Sequence, residues 1–158
     1  MLGVTATPDR TDKRGLGEYF ERIAYEITIR ELNKDGYLCP IRVQTLPIQI
    51  DLSTVKTVAG DFAQDRLVEA IKTHCATVAG MLAEQFANRK ILVFLPLVSI
   101  SQEFANQCRL FGLKAEHVDG SSTDRKEILQ RFSEGKTTVL CNAMLLTEGY
   151  DEPTVDCI

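Results

Sequence analysis

Apolar and polar positions in the second half of the chain follow two alternating patterns. Apolar runs at residues 90–96, 114–118 and 137–141 predict strands, and the continuous run at 90–96 is typical of a strand buried on both faces. Between the runs, apolar residues recur every three or four positions, as on one face of a helix. They are Ile100, Phe104, Cys108 and Phe111 in the first interval and Ile128, Leu129 and Phe132 in the second. This β, α, β, α, β order predicts right-handed crossovers and a doubly wound parallel sheet, an α/β fold.

Helical signals also occur nearer the N-terminus. Apolar side chains over residues 61–87 recur at helical spacing, with a break expected near the middle of the segment. Thr28 followed three residues later by Glu31 predicts the capping box of a short helix. Ser99 or Ser101 is expected near the start of the helix that follows the first strand of the core.

Four further segments have the composition of extended chain. Residues 41–50 alternate apolar and polar positions, which predicts a half-exposed strand with Pro47 at an edge or bend. Residues 1–8, 24–27 and 155–158 are also predicted as strands.

Composition bounds the class of protein. The chain has 158 residues, of which 44% are apolar and 25% are charged, enough for one core of ordinary domain size. No apolar run approaches the roughly 18 residues of a membrane span, and no signal pattern opens the chain. We therefore expect a soluble, cytoplasmic protein with no membrane partner. The net charge of −4 attracts no polyanion globally, so a nucleic-acid site would be local or shared with another domain.

The five cysteines are widely spaced and form no CxxC pair. They fit small buried hydrophobic residues in a reducing compartment. His74 and His117 are not clustered with other ligands, so no metal site is expected.

Residues 139–158 read as a strand, a polar loop containing Gly149, and a second extended segment. In open α/β sheets, ligands bind at the loops that leave the carboxyl ends of the strands. A glycine there lets backbone approach a ligand, and a carboxylate such as Asp151 can accept ribose hydroxyl hydrogens or hold a cation. A turn in which Gly149 and Asp151 serve only the backbone is the alternative.

Several segments resemble a known family. Residues 146–153, LTEGYDEP, resemble motif V of superfamily 2 helicases and translocases, in the branch of xeroderma-pigmentosum-B-like helicases, phage repair helicases and restriction-enzyme motor subunits. Residues 91–94 with Ser99 resemble motif IV, and residues 118–122 resemble the connection that leads to motif V. Residues 5–8, TATP, resemble motif III. The resemblance implies a RecA-like second helicase domain.

The resemblance also implies a domain organisation. Residues 1–24 would be the tail of a first motor domain, and residues 25–158 a second RecA-like domain that is incomplete at its C-terminus. No GxxxxGK[ST] loop occurs, and the arginines of motif VI would lie beyond Ile158. We therefore expect a fragment of an ATP-dependent helicase that hydrolyses no ATP alone. Residues 1–8 are expected to be disordered or paired with another molecule.

Residue roles follow from the same resemblance, although no complete catalytic set is present. Motif III-like coupling would involve Thr5, Ala6 and Thr7. The nucleotide would be faced by Glu148, Gly149 and Asp151. The nucleic-acid track would be lined by Ser99, Gly120, Ser121, Ser122, Asn142, Ala143 and Thr147. Many relatives have threonine where this chain has Ala143, so one hydroxyl contact is missing and a backbone amide would serve instead.

A complete motor would use ATP and Mg²⁺, and neither is expected to bind tightly to this chain. The implied partners are a nucleic acid, DNA rather than RNA, and a first RecA-like domain in cis or in trans. A stand-alone degenerate RecA-like module with a binding or regulatory role is the alternative. An unrelated nucleotide-binding or flavodoxin-like domain is a further alternative, but the chain carries no cofactor signature for it.

Overall fold

A computed structural model describes residues 2–5, 19–49, 57–58, 61–62, 64–147 and 149–158. The chain forms two compact units, Met1–Leu46 and Pro47–Ile158. In chain order, the described elements are α1 (Ile29–Lys34), β1 (Thr57–Val58), β2 (Asp61–Phe62), α2 (Gln64–Gln85), β3 (Ile91–Leu95), α3 (Val98–Leu110), β4 (Ala115–Val118), α4 (Arg125–Ser133) and β5 (Val139–Ala143).

The second unit is built on a three-stranded parallel sheet. Its strand order is β3-β5-β4, so the chain leaves β3, skips one position to form β4, and returns to place β5 in the middle. Ile91 and Ala115 both pair with Val139, and the ladder between β3 and β5 ends where Leu95 pairs with Ala143. Strands β1 and β2 form a separate antiparallel pair.

Helices cover both faces of this sheet. Ile91, Val139 and Cys141 pack with the buried residues of α2 and α3 on one face. Leu92 and Leu140 point to the opposite face and pack with α4, because successive strand residues alternate sides. The predicted parallel α/β sheet with helices on both faces is confirmed. Burial on both faces of β3 is incomplete, since Phe94 is 42% exposed at this edge strand.

The chain after β5 crosses the face that carries α4. Leu146, Tyr150 and Val155 pack against the cluster of that face. The chain then reaches the outer edge of β3, where Cys157 forms a parallel bridge with Ile91. The strand predicted at residues 155–158 is therefore present only as this bridge.

Helix α2 is continuous from Gln64 to Gln85, so the expected break in its middle was wrong. The Thr73 hydroxyl donates to the Ala70 carbonyl at 3.0 Å, and the Cys75 thiol donates to the Ile71 carbonyl at 3.7 Å. Polar side chains in this stretch thus bond to the preceding turn and leave the helix intact.

In the first unit, the capping box of α1 is confirmed. The Thr28 hydroxyl accepts from the Glu31 amide at 3.2 Å, and the Glu31 carboxylate accepts from the Thr28 amide at 2.8 Å. The strands predicted at residues 24–27 and 41–50 are wrong over the described residues 24–27 and 41–49, which are irregular. A strand needs a partner ladder, and most apolar residues of these segments are exposed, Val43 to 88%.

At the N-terminus, residues 2–5 are irregular and exposed, and the other residues of the predicted strand 1–8 lie outside the described part of the chain. Pairing of this segment with another molecule and a motor-domain boundary near residue 24 stay predictions.

Candidate nucleotide and nucleic-acid site

The loops that leave the three parallel strands begin at one edge of the sheet. Leu95 and Val118, the last residues of β3 and β4, pair with Ala143 and Asn142 at the end of β5. Ser99, in the first turn of α3, follows β3 closely. The loops after β4 and β5 contain four more of the candidate track residues, which are Gly120, Ser121, Ser122 and Thr147. The fold therefore starts every candidate loop from the carboxyl edge, where α/β sheets bind ligands.

Ser99 and Ser101 lie near the start of α3, as expected, but neither is its N-cap residue. Leu97 is the N-cap residue, and it makes no side-chain capping hydrogen bond. Ser99 is exposed in the first turn, whereas Ser101 is fully buried. The Ser101 hydroxyl instead lies 2.7 Å from His117 Nδ1, so a partner on another element determines its orientation.

Asp119 organises the turn between β4 and α4. Its carboxylate oxygen Oδ1 accepts from the amide and the hydroxyl of Ser121, both at 2.7 Å, and more weakly from the Ser122 hydroxyl at 3.4 Å. The Asp119 amide donates to the Ser122 hydroxyl oxygen at 3.0 Å. Both serine hydroxyls therefore turn toward Asp119. A phosphate group, which only accepts, would have to draw these hydroxyl hydrogens away from the carboxylate.

Charge at this turn is concentrated on a buried group. Asp119 is only 3% exposed. The Ser121 hydroxyl, and then His117, hold the pKa of the Asp119 carboxyl well below its usual range. His117 Nε2 lies 2.9 Å from Asp119 Oδ2. Neither Asp119 nor His117 was predicted as a residue of this site, although Asp-Gly-Ser-Ser is typical of an aspartate whose side chain bonds to the backbone two residues on.

Asn142 and Ala143, two of the expected track residues, are buried at the end of β5. The Asn142 amide nitrogen donates to the Val93 carbonyl at 2.9 Å, and its oxygen accepts from the Leu146 amide at 3.2 Å. The side chain of Asn142 thus fastens the start of the following loop to β3. Its amide group is committed to protein partners.

Two of the described residues in the loop after β5 have left-handed backbone. Gly149 has φ +72° and open space where a Cβ would lie, so an approaching ligand would meet backbone there. Met144 has φ 57° and an exposed side chain, a conformation that non-glycine residues adopt uncommonly. Asp151 is exposed. Glu148, the third residue expected to face the nucleotide, lies outside the described residues.

Lys90 holds the C-terminal end of the segment that follows β5. Its ammonium group lies 3.4 Å from the Glu152 carboxylate, donates to the Ser133 carbonyl at 3.0 Å and to the Thr154 hydroxyl, and stands 4.8 Å from the centre of the Phe132 ring. The Thr154 hydroxyl is the main cause of the lowered pKa of Glu152. Asn142 and Lys90 therefore anchor the two ends of the segment, and no sequence pattern predicted the Lys90 contact.

Other parts of the molecule add little to this site. Among the residues that the structure describes, no group of three or more His, Cys, Asp or Glu side chains could hold a metal ion. No described helix is long and apolar enough to cross a membrane. Thr5 is exposed, and Ala6 and Thr7 lie outside the described residues.

A parallel sheet flanked by helices, with polar and glycine-containing loops at its carboxyl edge, defines an α/β ligand-binding domain. Residues 69–158, more than half of the chain, match the family model described as the helicase conserved C-terminal domain. The chain belongs to this family.

Individual relatives agree with that assignment. The chain is 29% identical over 177 residues to the putative ATP-dependent helicase IRC3 of Saccharomyces cerevisiae, a match that covers 100% of the chain and 24% of the relative. It is 31% identical over 159 residues to the 51.5 kDa protein of a Lactococcus phage (isolate 7-9), covering 99% of the chain and 34% of that protein. The chain thus spans about a quarter to a third of the length of these relatives.

Among solved structures, the chain is similar to a DEAD box protein from the hyperthermophile Methanococcus jannaschii, with a TM-score of 0.48 and 20% sequence identity. That match covers 54% of this chain and 24% of the solved one.

Proposed function

We propose that this chain forms part of an ATP-dependent helicase or translocase of superfamily 2, where it supplies one wall of the ATP cleft and part of the nucleic-acid track. The observation that carries this proposal is the family match over residues 69–158, which includes the polar loops after β4 and β5. The relative from yeast is itself named a putative ATP-dependent helicase.

On this proposal, the loop after β5 serves the nucleotide. The open backbone at Gly149 admits a ligand, and the exposed carboxylate of Asp151 is free to accept ribose hydroxyl hydrogens. Glu148 is assigned to the same wall by resemblance. Mg²⁺ would accompany the ATP phosphates, and hydrolysis would need a second motor domain that closes over the nucleotide.

The nucleic-acid track would run along the carboxyl edge. Exposed Ser99, the turn at Gly120 to Ser122 and Thr147 would contact phosphates, which position a strand without reading its bases. Asn142 and Ala143 would act through the loop that they shape, because both are buried. DNA is the proposed substrate in preference to RNA.

Assignments outside the matched region belong to the same proposal. Residues 1–24 would end a first motor domain, with Thr5, Ala6 and Thr7 coupling its nucleotide site to nucleic acid, and residues 25–158 would belong to the second. A cytoplasmic location is proposed because the five cysteines are widely spaced and form no CxxC pair, a pattern that fits a reducing compartment.

The experiment is ATP hydrolysis by the complete reading frame that encodes these residues, with and without single-stranded DNA or RNA. We expect stimulation by nucleic acid, greater with DNA, and a loss of at least about tenfold in kcat/KM with Asp151→Ala. Asp156→Ala is the matched control, because Asp156 is exposed in the same segment but pairs with Arg89 beside the amino end of β3. A folded reading frame without ATPase activity would contradict the proposal and favour a binding or regulatory module.

A further inference from the structure

A chain of three hydrogen-bonded side chains links α3 to the turn after β4. The Ser101 hydroxyl lies 2.7 Å from His117 Nδ1, and His117 Nε2 lies 2.9 Å from Asp119 Oδ2. Ser101 is fully buried, Asp119 is 3% exposed, and the His117 side chain is 13% exposed. We name Ser101, His117 and Asp119 the α3–turn relay.

The ionised carboxylate fixes the direction of the bond between His117 and Asp119, and for a neutral imidazole this in turn sets the direction of the bond to Ser101. An ionised carboxylate only accepts, so His117 Nε2 carries a hydrogen and donates it to Asp119. In the neutral imidazole, Nδ1 is then the acceptor, and the Ser101 hydroxyl donates to it. The other oxygen of Asp119 accepts from Ser121. One continuous path therefore runs from the first turn of α3 to the serines of the turn.

The order of serine, histidine and aspartate resembles that of a hydrolytic triad, but burial excludes that role. A nucleophile must reach its substrate, and Ser101 has no exposed surface. What the relay can do is fix the position of one loop relative to another, because buried hydrogen bonds are costly to break.

The relay joins two of the three loops at the carboxyl edge. Ser99 precedes Ser101 in the first turn of α3, and Ser121 and Ser122 bond to Asp119 at the other end. We propose that His117 is a positioning residue for nucleic-acid binding, which sets the spacing between the phosphate contacts of α3 and those of the β4–α4 turn. This inference rests on the proposed function, and it identifies a residue that positions the nucleic-acid track.

The opposite side of the same strand provides a control. Glu116 points to the α4 face, where its carboxylate pairs with Arg131 at 2.5 Å. This pair also joins β4 to a helix through hydrogen bonds. It does not reach the β4–α4 turn, so its loss should alter stability and leave the spacing of the phosphate contacts unchanged.

The test uses the complete reading frame and a single-stranded oligo(dT), and measures the oligonucleotide concentration that gives half-maximal stimulation of ATP hydrolysis. His117→Gln keeps a donor for Asp119 but loses the contact with Ser101, and Ser101→Ala breaks the same link from the other side. Each is expected to raise the half-saturating concentration about tenfold, the effect of roughly one lost buried hydrogen bond. The double variant should show the same rise as either single variant, because both remove one link.

Arg131→Met and the melting temperature of every variant separate positioning from general stability. Arg131→Met should lower the melting temperature without raising the half-saturating concentration. Unchanged half-saturation in both relay variants overturns the inference while stimulation of the unaltered protein sustains the proposed function. Equal rises in the relay variants and in Arg131→Met also overturn it, since they show a merely structural effect. Absence of stimulation in the unaltered protein overturns both proposals.

Discussion

Asp119 contributes to stability through the bonds that favour its charged form. Replacement by asparagine removes one acceptor oxygen and places an amide NH₂ group among donors from Ser121 and His117, so we expect Asp119→Asn to lower the free energy of unfolding by about 2 kcal/mol at neutral pH. The folded-state pKa of Asp119 is depressed, so this contribution is present above the unfolded pKa of about 3.9 and is lost as pH falls. Denaturant unfolding should therefore show the difference between the two proteins narrowing below about pH 4. A difference that stays constant down to pH 2 would contradict this explanation.

Tyr150 is the opposite case, because burial of its hydroxyl group does not stabilise the fold. Its hydroxyl is buried without a hydrogen-bond partner in the described part of the chain, and burial raises its pKa. Because an unpaired buried hydroxyl costs free energy, Tyr150→Phe should leave stability unchanged or raise it by up to about 1 kcal/mol. Tyr150→Ala, which also removes the ring from the α4-side cluster, should lower stability in the same denaturant titration. A clear loss of stability in Tyr150→Phe would mean that the hydroxyl has a partner.

For individual residues, the sequence indicated which of them lie near the site, but it did not indicate what their side chains contact. The family resemblance implied that Ser121, Ser122 and Asn142 line a nucleic-acid track. Their actual partners are Asp119 for the serines and Val93 for Asn142, which is 49 positions away along the chain. The contact between Asn142 and Val93 depends on the strand order, which was not predictable from spacing alone, whereas the contacts of Asp119 with the two serines are local.

The segment between β5 and the Cys157 bridge shows how an irregular element can be held in place. Lys90 and Glu152 are both largely buried, and each is the other's charge partner. We expect Lys90→Met to lower the free energy of unfolding by about 2 kcal/mol, because it leaves the Glu152 carboxylate buried without its cation. Hydrogen exchange of the amides at residues 150–157 should accelerate as the segment opens.

The double variant Lys90→Met/Glu152→Leu distinguishes a lost pair from lost packing. If the unpaired charge causes the destabilisation, the double variant should recover a large part of the stability that Lys90→Met loses. Additive losses would instead assign the effect to the packing of the lysine stem over Phe132.

Helices and strands were predictable where the spacing of apolar residues in the sequence agrees with the burial of those residues in the fold. Strands β3, β4 and β5 and helices α3 and α4 fell close to their predicted positions, because each presents an apolar face to one core. Residues 41–49 show the limit, since alternation satisfied the strand pattern while no described segment supplies a ladder. A strand is a property of two segments, so one segment's pattern cannot establish it.

At the scale of the molecule, both hydrophobic clusters belong to one unit. The described residues of these clusters lie between Val68 and Cys157, within the unit Pro47–Ile158. Residues 47–158 on their own should therefore retain a cooperative unfolding transition, since a domain of roughly one hundred residues can bury a sufficient core. Circular dichroism during thermal and denaturant unfolding would measure this. A version that begins at residue 87 is the matched control, because it keeps the sheet but loses α2, whose residues Cys75, Ala79 and Leu82 are part of the buried cluster. Cooperative unfolding of the control, or non-cooperative unfolding of residues 47–158, would contradict this prediction. Either result would mean that the cooperative core is not the one formed by the two clusters.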